Sequence, residues 1–366
     1  MMNDDSSITS TLAERDLSAT PSKAIRYPRV LRCQGRIIGH RPLTHDTWEL
    51  TIRELNGAVP IRGEAGQFAT IKAANMERSR AYSFARDPAQ ETSGEHTFYI
   101  REVPGGEMSR WLQDERVGEL VEIAGPLGHF KLDNSSKIML LVAGGSGLSA
   151  IKALTEAAAR LQLARDCIVL FGARTEKDLH SLDTFLKLKD AWHPDFRLEF
   201  TPVLSHESHD TSWRGERGMV GEYMSAQYIQ SGKLSVGNFA AWLCGPPPMI
   251  AACSSTLAEC GVSEQDIYQD AFEDRRSPAP IIDNRKCVLC DECLLVRPVA
   301  DCIVEAVDVE RDSNGTVLDF KALEPAQTSG LYYNSLVIDE HACIRCLACV
   351  NACPHDAIQI TRAGDV

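Results

Sequence analysis

The sequence predicts a multidomain chain: an antiparallel β-barrel, then an α/β domain on a parallel sheet, then a small α+β module. Three observations predict it. Short alternating segments punctuated by Gly and Pro recur from Val30 to about Leu132. From Lys137 the pattern changes to unbroken apolar runs separated by helical spacing. Eight of the thirteen cysteines then crowd between Cys287 and Cys353. Regular short strands with turns suggest a barrel, whereas strands alternating with helices imply a parallel sheet covered on both faces.

Residues 1–28 are Ser/Thr-rich, without period, and are expected to be a disordered tail. The barrel is expected over 29–133, with strands at Arg36–Gly39, Thr47–Arg53, Gln67–Lys72, His96–Arg101 and Leu120–Ala124. The α/β domain follows over 134–275. Its buried strands are Ile138–Val142, Cys167–Phe171, Leu198–Val203 and Phe239–Cys244. A helix after the first puts Leu148, Ile151, Leu154, Ala158 and Leu161 on one face. Arg275–Pro280 reads as a linker, and 276–366 is the cysteine module, with a hairpin turn expected at Arg311–Gly315.

Charge narrows the partners. The net charge of −13 argues against nucleic acid and anionic membranes. That charge suits docking to a basic protein surface, or solvation alone; residues 281–366 carry 14 acidic and 7 basic side chains, a local net of −7. No apolar run approaches the length of a membrane span, and the first residues lack the apolar core of a secretory signal. The expected location is the cytoplasm.

Cys343, Cys346, Cys349 and Cys353, followed by Pro354, form C-x2-C-x2-C-x3-C-P. This is the bacterial spacing for [4Fe–4S] clusters, whose fourth cysteine ligates the other cluster in two-cluster proteins. Cys287, Cys290 and Cys293 form a second, partial run. Structural zinc also uses C-x2-C, but the C-x3-C-P ending and the paired halves favour iron–sulfur. Cys287, Cys290, Cys293 and Cys353 supply four thiolates to one cluster. The other has Cys343, Cys346 and Cys349. Arg297 stands where its fourth cysteine is expected, before Pro298, which leaves Cys302 as candidate ligand against a three-thiolate [3Fe–4S] or labile cluster.

Upstream, Gly144 precedes Gly145-Ser146-Gly147-Leu148-Ser149-Ala150, a G-x-G-x-x-A turn between strand and helix. Glycines there let a pyrophosphate approach the backbone at the helix N-terminus. After the second strand, Arg174 suits a 2′-phosphate, while Glu176 and Asp178 close by suit a free 2′-OH. Arg80-Ala81-Tyr82-Ser83 offers a guanidinium fork for a phosphate, an aromatic two residues on and a hydroxyl. Cys244-Gly245-Pro246-Pro247-Pro248-Met249 follows the fourth strand, at the carboxyl end where open α/β sheets bind ligands.

In this order the three stretches, with Gly105-Gly106-Glu107-Met108-Ser109, resemble the ferredoxin–NADP reductase superfamily over about residues 30–275. The segment Phe98–Gly106 is most similar to oxygenase reductases. The resemblance implies that Arg80, Gly105, Gly106, Met108 and Ser109 bind the FAD diphosphate, that Tyr82 packs on the isoalloxazine and that Ser83 bonds near its N5. It implies that Gly144, Gly145, Ser146, Gly147, Arg174, Gly245, Pro246 and Met249 line the NADH or NADPH site, and that Cys244 stands beside the hydride position. An aromatic closes such modules near the flavin. Tyr268 and Phe272 are the candidates, and Phe272 is favoured. Residues 337–366 are similar to half of a bacterial two-cluster ferredoxin.

Together these imply an NAD(P)H-dependent oxidoreductase, NADH slightly favoured, that passes electrons through FAD and two [4Fe–4S] clusters. The acceptor is a separate terminal oxygenase or reductase protein, foremost a multicomponent oxygenase. Oxygenase reductases of this kind usually carry a [2Fe–2S] domain, and this chain departs from that. A diaphorase or electron-transfer subunit of an anaerobic reductase or hydrogenase is the alternative. A non-enzymatic relay with a vestigial nucleotide site is a further one, which the intact motifs disfavour.

Overall fold

The structure is a computed structural model that describes residues 30–55, 59–74, 76, 79–271, 279–297, 302–311, 317–322, 335–339, 343 and 348–360. The tail 1–28, Phe272, residues 312–315 of the expected hairpin turn, and Cys346 lie outside the described residues.

The alternating region forms a six-stranded antiparallel sheet from β1 (Leu31–Pro42), β2 (Thr47–Glu54), β3 (Phe68–Ala73), β4 (Arg80–Ser83), β5 (Glu95–Arg101) and β6 (Leu120–Leu127), with helix α1 (Glu107–Trp111) before β6. The strand order is β4-β3-β6-β1-β2-β5. A bridge between Phe84 and Phe98 ties the end of β4 to β5 and nearly closes the barrel. Inward residues such as Ile37, Leu50, Ile52, Ile71, Phe84, Phe98 and Ile123 fill its core. The strand expected at Arg36–Gly39 is longer. β1 pairs with β6 through Arg36 and with β2 from Gly35 onward, so partners on both sides extend it past the exposed Arg32 and Arg36.

The second region forms a parallel sheet. It comprises β7 (Ile138–Gly144), β8 (Cys167–Ala173), β9 (Leu198–Leu204), β10 (Glu216–Arg217), β11 (Phe239–Gly245) and β12 (Ile267–Ala271), in the order β10-β9-β8-β7-β11-β12. Helices α2 (Leu148–Arg160), α3 (Leu182–Asp190), α4 (Val220–Met224) and α5 (Pro247–Glu259) connect the strands. The unbroken apolar runs are explained by burial on both faces. Met139, Leu141 and Ala143 of β7 pack with α2, whereas Leu140 and Val142 pack with residues of α4 and α5. On α2, Leu148, Ile151, Leu154 and Ala158 are buried as expected. Leu161 is 52% exposed, because the helix ends at Arg160 and Leu161 is its C-cap. The sequence reading missed β12, a five-residue edge strand with Gln269 and Asp270 at its centre.

The cysteine module contributes β13 (Ile281–Ile282), α6 (Glu292–Leu295), β14 (Ile303–Arg311), β15 (Val317–Ala322), β16 (Ser335–Ile338), α7 (Ala348–Ala352) and β17 (Ile358–Gln359). β13 pairs antiparallel with β17, and β14 with β15 and β16. Its core is built partly from thiols: Cys293, Cys302 and Cys349 pack with Ile282, Ile303, Leu336 and Ile358. Among the described residues no helix is long and apolar enough to cross a membrane.

Candidate functional site

Two strand ends from different sheets meet at the centre of the molecule. β4 carries Arg80, Tyr82 and Ser83 on the barrel, and β11 carries Cys244 next to its last residue in the parallel sheet. β12 runs beside β11 with Asp270 as the Cα partner of Cys244. The Ser83 hydroxyl donates to the Asp270 carboxylate at 3.4 Å, which joins the two sheets at this point. Burial pushes the Asp270 carboxyl up to about 6, against a smaller opposing effect of the Ser83 bond. Burial, then the neighbouring Asp270 charge, holds the Cys244 thiol well above its usual range. Cys244 is therefore a neutral thiol at pH 7 rather than a thiolate nucleophile.

The elements that the resemblance assigns to the FAD diphosphate adjoin. The Arg80 guanidinium donates to Glu107 at 3.1 Å, bringing β4 against α1. Gly105 has φ +74, a left-handed turn that suits glycine, and Gly106 caps α1 in extended backbone. Ser109 accepts the Val103 N–H at 2.6 Å, which draws the Val103–Ser109 turn together. Met108 and Ser109 are buried, and Tyr82 is half-buried against the barrel core.

The Gly-rich turn packs directly on the Cys244–Met249 loop. A Cβ on Gly147 would lie 2.2 Å from the Cys244 carbonyl oxygen. One on Gly144 would lie 2.5 Å from the Met249 sulfur and 2.9 Å from Pro246. Gly145 has φ +54, and Gly145–Gly147 form a 3₁₀ turn whose Ser146 carbonyl accepts the Ser149 hydroxyl at 2.7 Å. Glycine thus lets the start of a thirteen-residue helix pack closely on this loop, the placement of a Gly-rich turn in folds that bind a pyrophosphate at a helix N-terminus. Gly245 and Pro246 close the far side of this glycine cradle. Arg174 is exposed at the end of β8, and its carbonyl accepts the His206 N–H at 2.8 Å. Glu207 accepts the Glu176 N–H at 2.7 Å, and Asp178 accepts the Thr175 N–H at 2.7 Å. Tyr268 stacks on Trp242 at 4.8 Å, in the core beside α2.

Sequence reasoning missed three residues here. Asp270 is a lone acid in a short strand, and only the pairing with β11 reveals its place. Arg101 stands 3.2 Å from where a Cβ of Gly145 would be, its Nε bonded to Asp46 at 2.8 Å. Lys152 is buried in α2 and donates to the Ala85 carbonyl at 2.9 Å.

In the cysteine module the strand pairing sorts the thiols. Ile281 pairs with Gln359, so the run Cys287–Cys293 comes beside Cys353. Burial raises the Cys293 thiol to about 12, with further pushes from Cys287, Cys290 and Cys353, which therefore lie near it. The Ala357 N–H donates to the Cys353 sulfur at 3.3 Å. Ile303 pairs with Ile338, which brings Cys302 toward the last run. The Asp339 N–H donates to the Cys302 carbonyl at 3.1 Å, and the Cys343 N–H to the Asp339 carbonyl at 2.8 Å. Cys302 and Cys349 share the same small core. Arg297 donates to the Ile303 carbonyl beside Cys302, and the Arg32 guanidinium donates to the Arg297 carbonyl at 2.5 Å. The residue in the cysteine's place thus serves backbone contacts to the module and the barrel. Cysteine sulfurs gathered in this way suit iron–sulfur ligation, in which the metal binds the thiolate form.

Residues 34–132 match the oxidoreductase FAD-binding domain, 141–255 the oxidoreductase NAD-binding domain, and 336–359 the 4Fe-4S binding domain. The xylene/toluene monooxygenase electron transfer component of Pseudomonas putida is 37% identical over 237 residues, 64% of this chain and 63% of the relative. The toluate 1,2-dioxygenase electron transfer component of Pseudomonas putida is 31% identical over 242 residues, 65% of this chain and 67% of the relative. The chain thus spans somewhat under two thirds of the first of these relatives. Among solved structures, the ferredoxin reductase in carbazole 1,9a-dioxygenase superposes with TM-score 0.57 at 28% identity, covering 67% of this chain and 70% of that one. The Amycolatopsis cytochrome P450 reductase superposes with TM-score 0.59 at 26% identity, covering 67% and 71%. The barrel with its Arg80–Ser83 strand, the parallel sheet with its glycine cradle, and the thiol-lined module agree with these matches: the chain belongs to the ferredoxin reductase family of FAD- and NAD-binding oxidoreductases and carries a 4Fe-4S binding domain after them.

Proposed function

We propose that the protein is an NADH-dependent iron–sulfur flavoprotein reductase that supplies a separate terminal protein, a multicomponent oxygenase, through FAD and two [4Fe–4S] clusters. The observation that carries this is the meeting of Ser83, Cys244 and Asp270 where the two sheets join, beside the glycine cradle. Bound FAD would supply the chemistry that converts a hydride from the nicotinamide into single electrons. Arg80 and the turn Gly105–Ser109 would hold its diphosphate, with Tyr82 and Ser83 at its ring. The similarity to the electron transfer components of xylene/toluene monooxygenase and toluate 1,2-dioxygenase supports a terminal oxygenase as acceptor. The cluster ligands would be Cys287, Cys290, Cys293 and Cys353 for one, and Cys302, Cys343, Cys346 and Cys349 for the other. A reducing compartment, the cytoplasm, suits this number of thiols.

The chain's own groups hold a proton at Ser83. Below about pH 6 a neutral Asp270 donates to the Ser83 oxygen, leaving the hydroxyl hydrogen free to point at the flavin. Above that value the carboxylate captures it. The limiting rate of flavin reduction is therefore expected to fall about tenfold as pH rises through about 6. Asp270→Asn should flatten the profile, as followed by stopped-flow absorbance. A profile unchanged by this substitution would contradict the assignment.

NADH is favoured because Glu176 and Asp178 follow β8, Glu207 reaches the Glu176 backbone from the loop after β9, and these acids would repel a 2′-phosphate. The test is anaerobic titration of the reconstituted chain. NADH should bleach the flavin and then the iron–sulfur absorbance, with kcat/KM for dye reduction at least about tenfold above that for NADPH. A chain that binds no FAD, or whose flavin stays oxidised with both nucleotides, sinks the reading.

A further inference from the structure

α2 carries Lys152, Glu156 and Arg160 at intervals of four, so the three side chains lie along one helix face. All three bond the same short segment of the barrel. Lys152 donates to the Ala85 carbonyl at 2.9 Å, Glu156 accepts the Asp87 N–H at 2.9 Å, and Arg160 donates to the Asp87 carboxylate at 2.5 Å. Lys152 also bonds Glu156 at 2.5 Å, and its ammonium lies 5.8 Å from the Tyr99 ring centroid. Lys152 and Asp87 are both almost wholly buried. The Tyr99 hydroxyl contacts Ser181 at 3.2 Å, and the His180 ring meets the Tyr99 ring edge-on at 5.3 Å.

The placement is specific. Residues 85–87 follow the strand that carries Tyr82 and Ser83 after one intervening residue, Phe84. α2 begins at the glycine cradle. Lys152 is paired with Glu156, but a buried ion pair is often no more stabilising than apolar residues of similar size. Stability alone therefore does not account for this charge.

We propose that the Lys152–Glu156–Arg160 ladder is a positioning device that fixes the nicotinamide-binding helix against the flavin-binding strand. Lys152 sets the distance between the two cofactors. This rests on the flavin and nicotinamide reading given above. The contacts of Lys152 are with Ala85, Glu156 and Tyr99, none of which is assigned above to a cofactor; it acts through Ala85 and through the course of α2. Reacting centres must be held to within a fraction of an ångström, and a shift of about 1 Å can cost about a hundredfold in rate.

The test uses the full chain loaded with FAD and clusters, followed anaerobically by stopped flow with NADH. Lys152→Met is expected to lower the limiting rate of flavin reduction ten- to a hundredfold, roughly. The half-saturating NADH concentration should stay within about twofold, because the glycine cradle is intact, and FAD content should not change. The long-wavelength flavin–nicotinamide charge-transfer absorbance should weaken. Lys152→Arg, which keeps a donor of similar reach, should recover most of the rate. If Lys152→Met does not fold, Arg160→Met at the half-exposed end of the ladder is the second variant, expected to slow reduction severalfold with full FAD content. A limiting rate within about twofold of the unsubstituted chain in a folded variant overturns the proposal, as does a loss confined to NADH affinity or FAD content. Failure of the unsubstituted chain to be reduced by NADH would instead sink the functional reading itself.

Discussion

Replacing Cys353 with alanine is expected to remove one cluster and leave the flavin half working. Iron should fall from about eight to about four atoms per chain. Reduction of an external protein or dye that draws on the clusters should drop to near background, while NADH still bleaches the flavin. The physical ground is the pairing of β13 with β17, which puts Cys353 beside Cys287, Cys290 and Cys293 rather than with the run it belongs to in sequence. The barrel and the parallel sheet have separate cores, so the flavin and nucleotide sites do not depend on this thiol. Cys302→Ala should silence the other cluster, since Cys302 is tied to Cys343 through Asp339. Iron analysis with electron paramagnetic resonance of the reduced protein separates the outcomes. Two intact [4Fe–4S] signals in either variant would refute that ligand assignment.

A single methyl at Gly147 should have a comparable effect on the nucleotide site. The Cβ of Gly147→Ala would lie 2.2 Å from the Cys244 oxygen, 2.5 Å from its carbonyl carbon and 2.7 Å from the Gly245 Cα. All three are backbone atoms at the end of a central strand paired with β7 and β12, so none can swing aside. The start of α2 must move away from β11 instead, opening the cradle. We expect NADH affinity to fall about a hundredfold, with a loss of about 1–3 kcal/mol in stability from the overpacking. Nucleotide titration and thermal denaturation measure the two effects. Unchanged nucleotide affinity would show that the turn does not bind the cofactor.

Much of the chain was legible because its signals are local. The parallel-sheet strands announce themselves as unbroken apolar runs, since both faces of β7, β8 and β11 are buried. The glycine turn, the Arg80–Ser83 strand and the Cys244–Met249 loop each need particular residues at fixed spacing, so the spacing alone marks them. Where the sequence reading fell short, the cause was non-local. Asp270 matters through the strand it lies beside and the serine it meets 187 positions away. β1 is extended by partners on both sides, and one of them, β6, lies far along the chain.

The cysteine spacing by itself marked two runs of candidate ligands in the last module, and it located the departure at Arg297. Tertiary structure decided which of the described thiols lie near one another. Hydrogen-bonded ladders between β13 and β17 and between β14 and β16 bring thiols distant in sequence together, and so place Cys302 next to the last run. It also decided what joins the two cofactor domains. The charges of Lys152, Glu156 and Arg160 are visible in sequence as an ordinary helical face. Only the fold shows that this face is buried against residues 85–87. A side chain's chemistry is written locally, whereas its partner is set by which surfaces the folded chain excludes from water.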